Sequence, residues 1–200
     1  TESAPRLDNL RILAERSESC TLVTATDGNH GRALARMANL IGLPARIYVP
    51  DVVSPEAIAL IRAEGAETIV LDDDYNGTVH RAARDAEQDP AALLVQDTAW
   101  DGYEEVPQWI VDGYSTLFRE TETQLAQHNS TPPALVAVPT GVGSLLQAAV
   151  AFYRSGNQEP AAILAVEPTT ANCVATSLQR KEPVTVPTAS TTMAGLNCGT

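Results

Sequence analysis

Three short stretches of this sequence carry side chains able to bind a ligand or move a proton. The first is Thr24-Ala25-Thr26-Asp27-Gly28-Asn29-His30-Gly31, which joins an apolar run to a helical pattern holding Leu34, Met37, Ala38 and Ile41 on one face. Such a turn stands at the carboxyl end of a strand, where open α/β sheets bind ligands. Gly28 and Gly31 let the backbone bend and let a ligand come close, and the helix start offers N–H groups and a positive dipole end. Asp27 is a candidate proton acceptor and Asn29 a neutral hydrogen-bonding group. The second stretch, Gln96-Asp97-Thr98, ends another apolar run and offers Asp97 as a second acid or base. The third, Pro139-Thr140-Gly141-Val142-Gly143-Ser144, is again a glycine turn between a strand and a helix. Backbone N–H groups there suit an anion, with phosphate the natural guest. Each is also compatible with plain turn chemistry.

Other chemistries are excluded residue by residue. Ser144 is followed by Leu145 with no lysine nearby, so the turn is no Walker loop. Leu146 stands where a dinucleotide fingerprint needs a third small residue, and no Gly-x-Ser-x-Gly elbow occurs. A phosphate held by backbone alone remains, which suits a monophosphate better than a triphosphate. His30, His80 and His128 are scattered, as are Cys20, Cys173 and Cys198, so neither a metal site nor a disulfide framework is expected. Lys181 is the only lysine in the chain.

The elements that must position these residues alternate. A helix is expected over residues 1–18, then strands at 21–25, 45–49, 67–71 and 93–95 with a helix after each of the first three. Ser54-Pro55-Glu56 and Asp74 mark two helix starts, and Gly42 and Gly65 two stops. The second helix should bury Ile58, Leu60 and Ile61. This βαβαβαβ order means a parallel sheet with helices on both faces, and places the Asp27 turn and the Asp97 loop on one sheet edge. The texture changes at residues 100–107. A long helix follows over 107–128, with Trp109, Ile110, Tyr114, Leu117 and Leu125 inward, then strands at 134–138 and 161–166 and a helix near 171–179. Two domains are expected: residues 19–103, and residues 104–200 together with 1–18. The net charge of −12 argues against nucleic acid and anionic membranes as partners. No apolar run is long enough to span a bilayer, no signal peptide is evident, and the cysteine usage suits the cytoplasm.

The two glycine turns, in this order, resemble those of fold-type II pyridoxal-phosphate enzymes. A closer resemblance is to the diaminopropionate ammonia-lyase family: Thr-Asp-Gly-Asn-His-Gly-Arg at 26–32, Gln-Asp-Thr-Ala-Trp-x-Gly-Tyr at 96–103, Val-Glu-Pro at 166–168 and Met-Ala-Gly-Leu-x-Cys-Gly at 193–199. The resemblance runs from about Cys20 to the last residue. It implies a three-layer α/β fold, pyridoxal 5'-phosphate as cofactor, an amino acid as substrate, a homodimer, and elimination of ammonia from 2,3-diaminopropionate to give pyruvate. By the same resemblance Asn29 bonds the ring hydroxyl, and Gly141, Val142, Gly143 and Ser144 cradle the phosphate. Asp27 and Asp97 become bases on opposite faces of the substrate, which Tyr75 also approaches. The family further requires a lysine before the Asn29 turn, which this chain does not carry, so it is expected to be the central piece of a longer enzyme and inactive alone. Another pyridoxal-phosphate dehydratase or deaminase, and a non-catalytic truncated product, are the alternatives.

Overall fold

The computed structural model describes residues 7–16, 20–155 and 161–200. Backbone contacts divide the chain into two units, Thr1–Gln96 and Asp97–Thr200. In the first, β1 (Thr21–Ala25), β2 (Ala45–Pro50), β3 (Glu67–Leu71) and β4 (Ala92–Leu94) form a parallel sheet in the order β3-β2-β1-β4. The central strands are apolar on both faces, as a sheet covered on both sides requires. Ala45, Ile47 and Val49 of β2 pack with Leu34, Ala35 and Ala38 of α2 (Asn29–Ile41) and with Ile58 and Ile61 of α3 (Pro55–Ala63). Tyr48, pointing the other way, packs with Val23 and Ala25 of β1 and with Val79, Ala82 and Ala86 of α4 (Tyr75–Glu87). Side chains alternate along a strand, so these two cores lie on opposite faces, giving helix, sheet and helix layers.

Local sequence sets the helix ends. Ser54 Oγ accepts the Ala57 N–H at 3.2 Å ahead of Pro55, and Asp74 Oδ1 accepts the Gly77 N–H at 2.7 Å. Gly42, at φ 81°, closes α2 with its N–H on the Ala38 and Asn39 carbonyls. The expected first helix is seen as α1 (Leu7–Arg16); the rest of the 1–18 range lies outside the described residues. Two side chains expected inside are outside: Met37 is 44% and Leu60 46% exposed. In α2 Ala35, not Met37, accompanies Leu34 and Ala38 on the buried stripe.

The second unit contains α5 (Glu105–Gln127), β5 (Leu135–Pro139), α6 (Ser144–Arg154), β6 (Ala162–Val166) and α7 (Cys173–Arg180). β5 and β6 are parallel neighbours. Val111, Phe118, Val138, Ala148 and Ala149 form its core, with the Phe118 ring 5.6 Å from Phe152 and 5.5 Å from Tyr153. The inner face of α5 is therefore Pro107, Val111 and Phe118, and the expected inward Trp109 and Leu117 are exposed. At about 100° per residue, Trp109 and Val111 cannot share a stripe. The opposite face of the β5–β6 pair shows Leu135, Leu164 and Val166 to solvent. Glu167 starts α7, its two oxygens accepting the Val174 and Ala175 N–H groups at 2.8 Å each. Burial, and then the Glu167 charge, push the neighbouring Cys173 thiol up. Among the described residues no helix is long and apolar enough to cross a membrane.

Candidate active site

The strand order reverses at β1. The chain runs from β1 through β2 to β3 in one direction and returns with β4 on the other side of β1. The crevice outside the carboxyl ends of β1 and β4 is thus the topological switch point, the usual ligand position in such sheets. The Asp27 turn leaves β1 there, and the segment leading to Gln96 leaves β4 there.

Thr26, 1% exposed, organises the turn. Its Oγ1 accepts the N–H groups of Gly28 and Gly31, both at 3.0 Å. Gly28 sits at φ 150°, ψ −73°, a conformation that favours glycine. A Cβ on Gly31 would run into the Thr26 side chain and come within 2.8 Å of Ile47 Cγ2. Asp27 is half-buried, and Asn29 is exposed as the first residue of α2. His30 Nε2 lies 2.7 Å from the Val95 carbonyl, so that nitrogen carries the proton and ties the start of α2 to the end of β4. Tyr75, the first residue of α4, meets the buried Gln96 side chain, whose Nε2 donates to Tyr75 Oη at 3.2 Å. Gln96 also bonds Ala25, two positions before Asp27.

Asp97 opens the second unit. Its charge adds to burial in raising the Tyr114 hydroxyl on α5. In the same unit the second glycine turn leads into α6. Thr140 is buried and donates its N–H to the Val166 carbonyl at 2.9 Å. Gly143 stands at φ 92° as the residue before the helix, and Ser144, buried, is its first. A Cβ on Gly141 would lie 3.3 Å from Cys198 Sγ and 3.4 Å from the Gly195 carbonyl, so the 193–199 segment backs the turn.

One comparison tests whether these turns fit a cofactor. α3, α4 and α7 begin on side-chain oxygens of Ser54, Asp74 and Glu167. Of the two helices that begin on glycine turns, α6 has no side-chain cap bond, α2 has only the Thr26 bond to the Gly31 N–H, and neither has an acid in the first turn. Their first-turn N–H groups and dipoles thus suit an external acceptor, and the α6 start fits a phosphate. The covalent anchor is different. Lys181 is the C-cap of α7, exposed at φ 59°, and lines an apolar groove of about 500 Å³ with Val142, Val174, Leu178 and Val184. It belongs to the second unit rather than to the Asp27 turn. Among the described residues no cluster of three or more His, Cys, Asp or Glu could hold a metal ion.

The side chains that hold the turns together, Thr26, Gln96, His30 and Cys198, carry roles that reading the sequence did not assign. Gln96 had a visible signal, an amide directly after an apolar strand. Its partners 71 and 72 positions away could not be read from it.

Comparison with known proteins agrees with this geometry. The pyridoxal-phosphate dependent enzyme family matches residues 7–200. A diaminopropionate ammonia-lyase from Salmonella typhimurium is 41% identical over 96% of this chain and 48% of its own length. That of Escherichia coli K12 is 37% identical over 91% of this chain and 46% of its own. The crystal structure of the Escherichia coli enzyme in complex with D-serine superposes with a TM-score of 0.83 at 36% identity, covering 98% of this chain and 48% of that one. The chain spans about half the length of the relatives it matches. With its parallel sheet layered between helices, its two glycine turns between strand and helix, and this match over residues 7–200, it belongs to the pyridoxal-phosphate dependent enzyme family.

Proposed function

We propose that this chain carries the base-bearing and phosphate-binding turns of an ammonia-lyase that converts 2,3-diaminopropionate to pyruvate and ammonia. The observation that carries the reading is the Asp27-Gly28-Asn29 turn at the switch point of a chain 41% identical to a diaminopropionate ammonia-lyase over nearly its whole length. Pyridoxal phosphate, when bound, supplies the sink for the electron pair left at Cα. Gly141, Val142, Gly143 and Ser144 hold its phosphate through main-chain N–H groups and the Ser144 hydroxyl. Asn29 hydrogen-bonds its ring hydroxyl. Asp27 and Asp97 take the Cα proton, each from its own face of the substrate, and Tyr75 contacts the substrate. No step is assigned to Lys181.

The domain reading is residues 19–103 as a small domain bearing the Asp27 turn, with 1–18 and 104–200 in a larger one bearing the phosphate turn. We read the protein as a cytoplasmic homodimer. Cys20, Cys173 and Cys198 form no disulfide, which suits a reducing compartment, and the homodimer follows the family resemblance.

The reading is tested with the protein purified at the length its own cell makes, loaded with pyridoxal phosphate and offered 2,3-diaminopropionate, serine and threonine in parallel. Pyruvate and ammonia from diaminopropionate are expected. Keto acid from serine or threonine alone would favour the dehydratase alternative.

A further inference from the structure

The buried amide of Gln96 has no part in the lyase chemistry proposed above. β4 pairs with β1 as far as Val23 and Leu94, and the Val95 N–H still bonds the Val23 carbonyl at 2.7 Å. One step further along β1, the side-chain Oε1 of Gln96 accepts the Ala25 N–H at 2.9 Å. The same oxygen accepts the Thr24 hydroxyl at 3.0 Å. A side chain thus stands in for the next carbonyl of the ladder, and the main chain leaves the sheet at the switch point. Gln96 and Thr24 are both fully buried.

This arrangement sets the amide's direction. A backbone N–H only donates, so the Gln96 atom facing Ala25 is oxygen and the other end is the NH₂. That NH₂ lies 3.2 Å from Tyr75 Oη. An NH₂ only donates, so the phenol oxygen accepts and its own proton is directed away from Gln96.

We propose that Gln96 is a positioning residue with two linked tasks. It caps the β1 edge immediately before the Asp27 turn, and by donating to the Tyr75 oxygen it fixes the orientation of that hydroxyl. The use of that orientation in the reaction rests on the reading that Tyr75 contacts substrate; the bonds themselves do not depend on the reaction.

Two measurements on the native-length protein, without substrate, test this. The first uses the unaltered protein: a scalar coupling across the hydrogen bond between the Ala25 amide nitrogen and the Gln96 side-chain carbonyl carbon should be detectable by NMR. Its absence from a well-resolved Ala25 amide would overturn the proposal. The second follows the Tyr75 hydroxyl titration by ¹³Cζ-tyrosine NMR, with Tyr75→Phe to assign the signal. An amide donor favours the phenolate, so Gln96→Leu should raise the Tyr75 pKa. Gln96→Glu places a carboxylate where the phenol must donate instead, and should raise it further, by about one pH unit or more. Tyr48, in the same core, should titrate as before and reports that the fold is kept. An unchanged Tyr75 titration in folded Gln96→Glu protein would overturn the positioning role. Because neither readout involves turnover, a failed lyase assay would leave both intact, and a failure here would leave the lyase reading standing.

Discussion

At the scale of single residues, the site depends on which atoms backbone geometry leaves without a local partner. Gly143 shows the logic. It stands at φ 92° ahead of α6, whose start has no side-chain cap bond, an arrangement that suits an anion. Gly143→Asp would strain that conformation by about 1–2 kcal/mol and set a like charge against a phosphate. Affinity for pyridoxal phosphate should fall at least about tenfold, measured by fluorescence titration, with the circular dichroism spectrum retained. Unchanged affinity would make the turn a mere connection. The place of Asp27, Asn29 and the two glycine turns between strand and helix could be read in the sequence because apolar runs and helical spacing flank them. The work of Thr26 and Gln96 could not. A threonine hydroxyl accepting two N–H groups, or an amide completing a strand ladder, is defined by partners that only the folded chain brings near.

Element by element, the alternation of strands and helices was legible because apolar runs, helix caps and glycine stops agreed with one another. What pattern reading missed were faces. Met37, Leu60, Trp109 and Leu117 sit at spacings that admit a buried stripe, but the stripe is fixed by the neighbouring element. Polar contacts across layers were equally invisible. Tyr48, 1% exposed, donates its hydroxyl to Asp85 Oδ2 at 2.9 Å, joining β2 to α4, and Arg81 holds the same carboxylate at 2.8 Å. Burial, then the Asp85 bond, push the Tyr48 hydroxyl up to about 12 from its ordinary 10.0. Burial alone would raise Asp85, but its bonds with Arg81 and Tyr48 outweigh that and hold it below the usual carboxylate range. A raised folded-state value stabilises the fold fully below the unfolded value and is lost as pH climbs through the folded one. Stability should therefore drop between pH 10 and 12. Tyr48→Phe should cost about 1 kcal/mol near neutrality and flatten that drop, seen in urea unfolding at a series of pH values. Tyr114 and Tyr153 are raised too, so the difference between variant and unaltered protein isolates Tyr48. A drop of equal size in both would show that Tyr48 carries no part of it.

On the scale of the whole molecule, two readings can be tested: an exposed apolar sheet face, and the proposed pair of bases. Leu135 and Leu164 are 57% and 50% exposed on neighbouring parallel strands. Such a face favours association, so sedimentation velocity of the 200-residue chain should show concentration-dependent assembly, reduced in Leu135→Glu/Leu164→Glu. A monomer at all concentrations would assign that face no such role. The proposed pair of bases, Asp27 and Asp97, is the stronger claim. A Cα proton can leave toward either face of a planar centre, and a base serves only the face within about 2.6–3.2 Å of it. Two carboxylates, one for each face, would let one enzyme accept both enantiomers. The most direct measurement is pyruvate release from pure D- and L-2,3-diaminopropionate by the native-length protein and its Asp27→Asn and Asp97→Asn variants. Asparagine keeps the size and hydrogen bonding of aspartate but cannot take the proton, so kcat should fall about 10²–10⁴-fold with binding largely kept. Asp27→Asn should lose the D enantiomer and spare the L, and Asp97→Asn should do the reverse. Equal losses on both enantiomers in both variants, or no pyruvate from either enantiomer with the unaltered protein, would contradict the account.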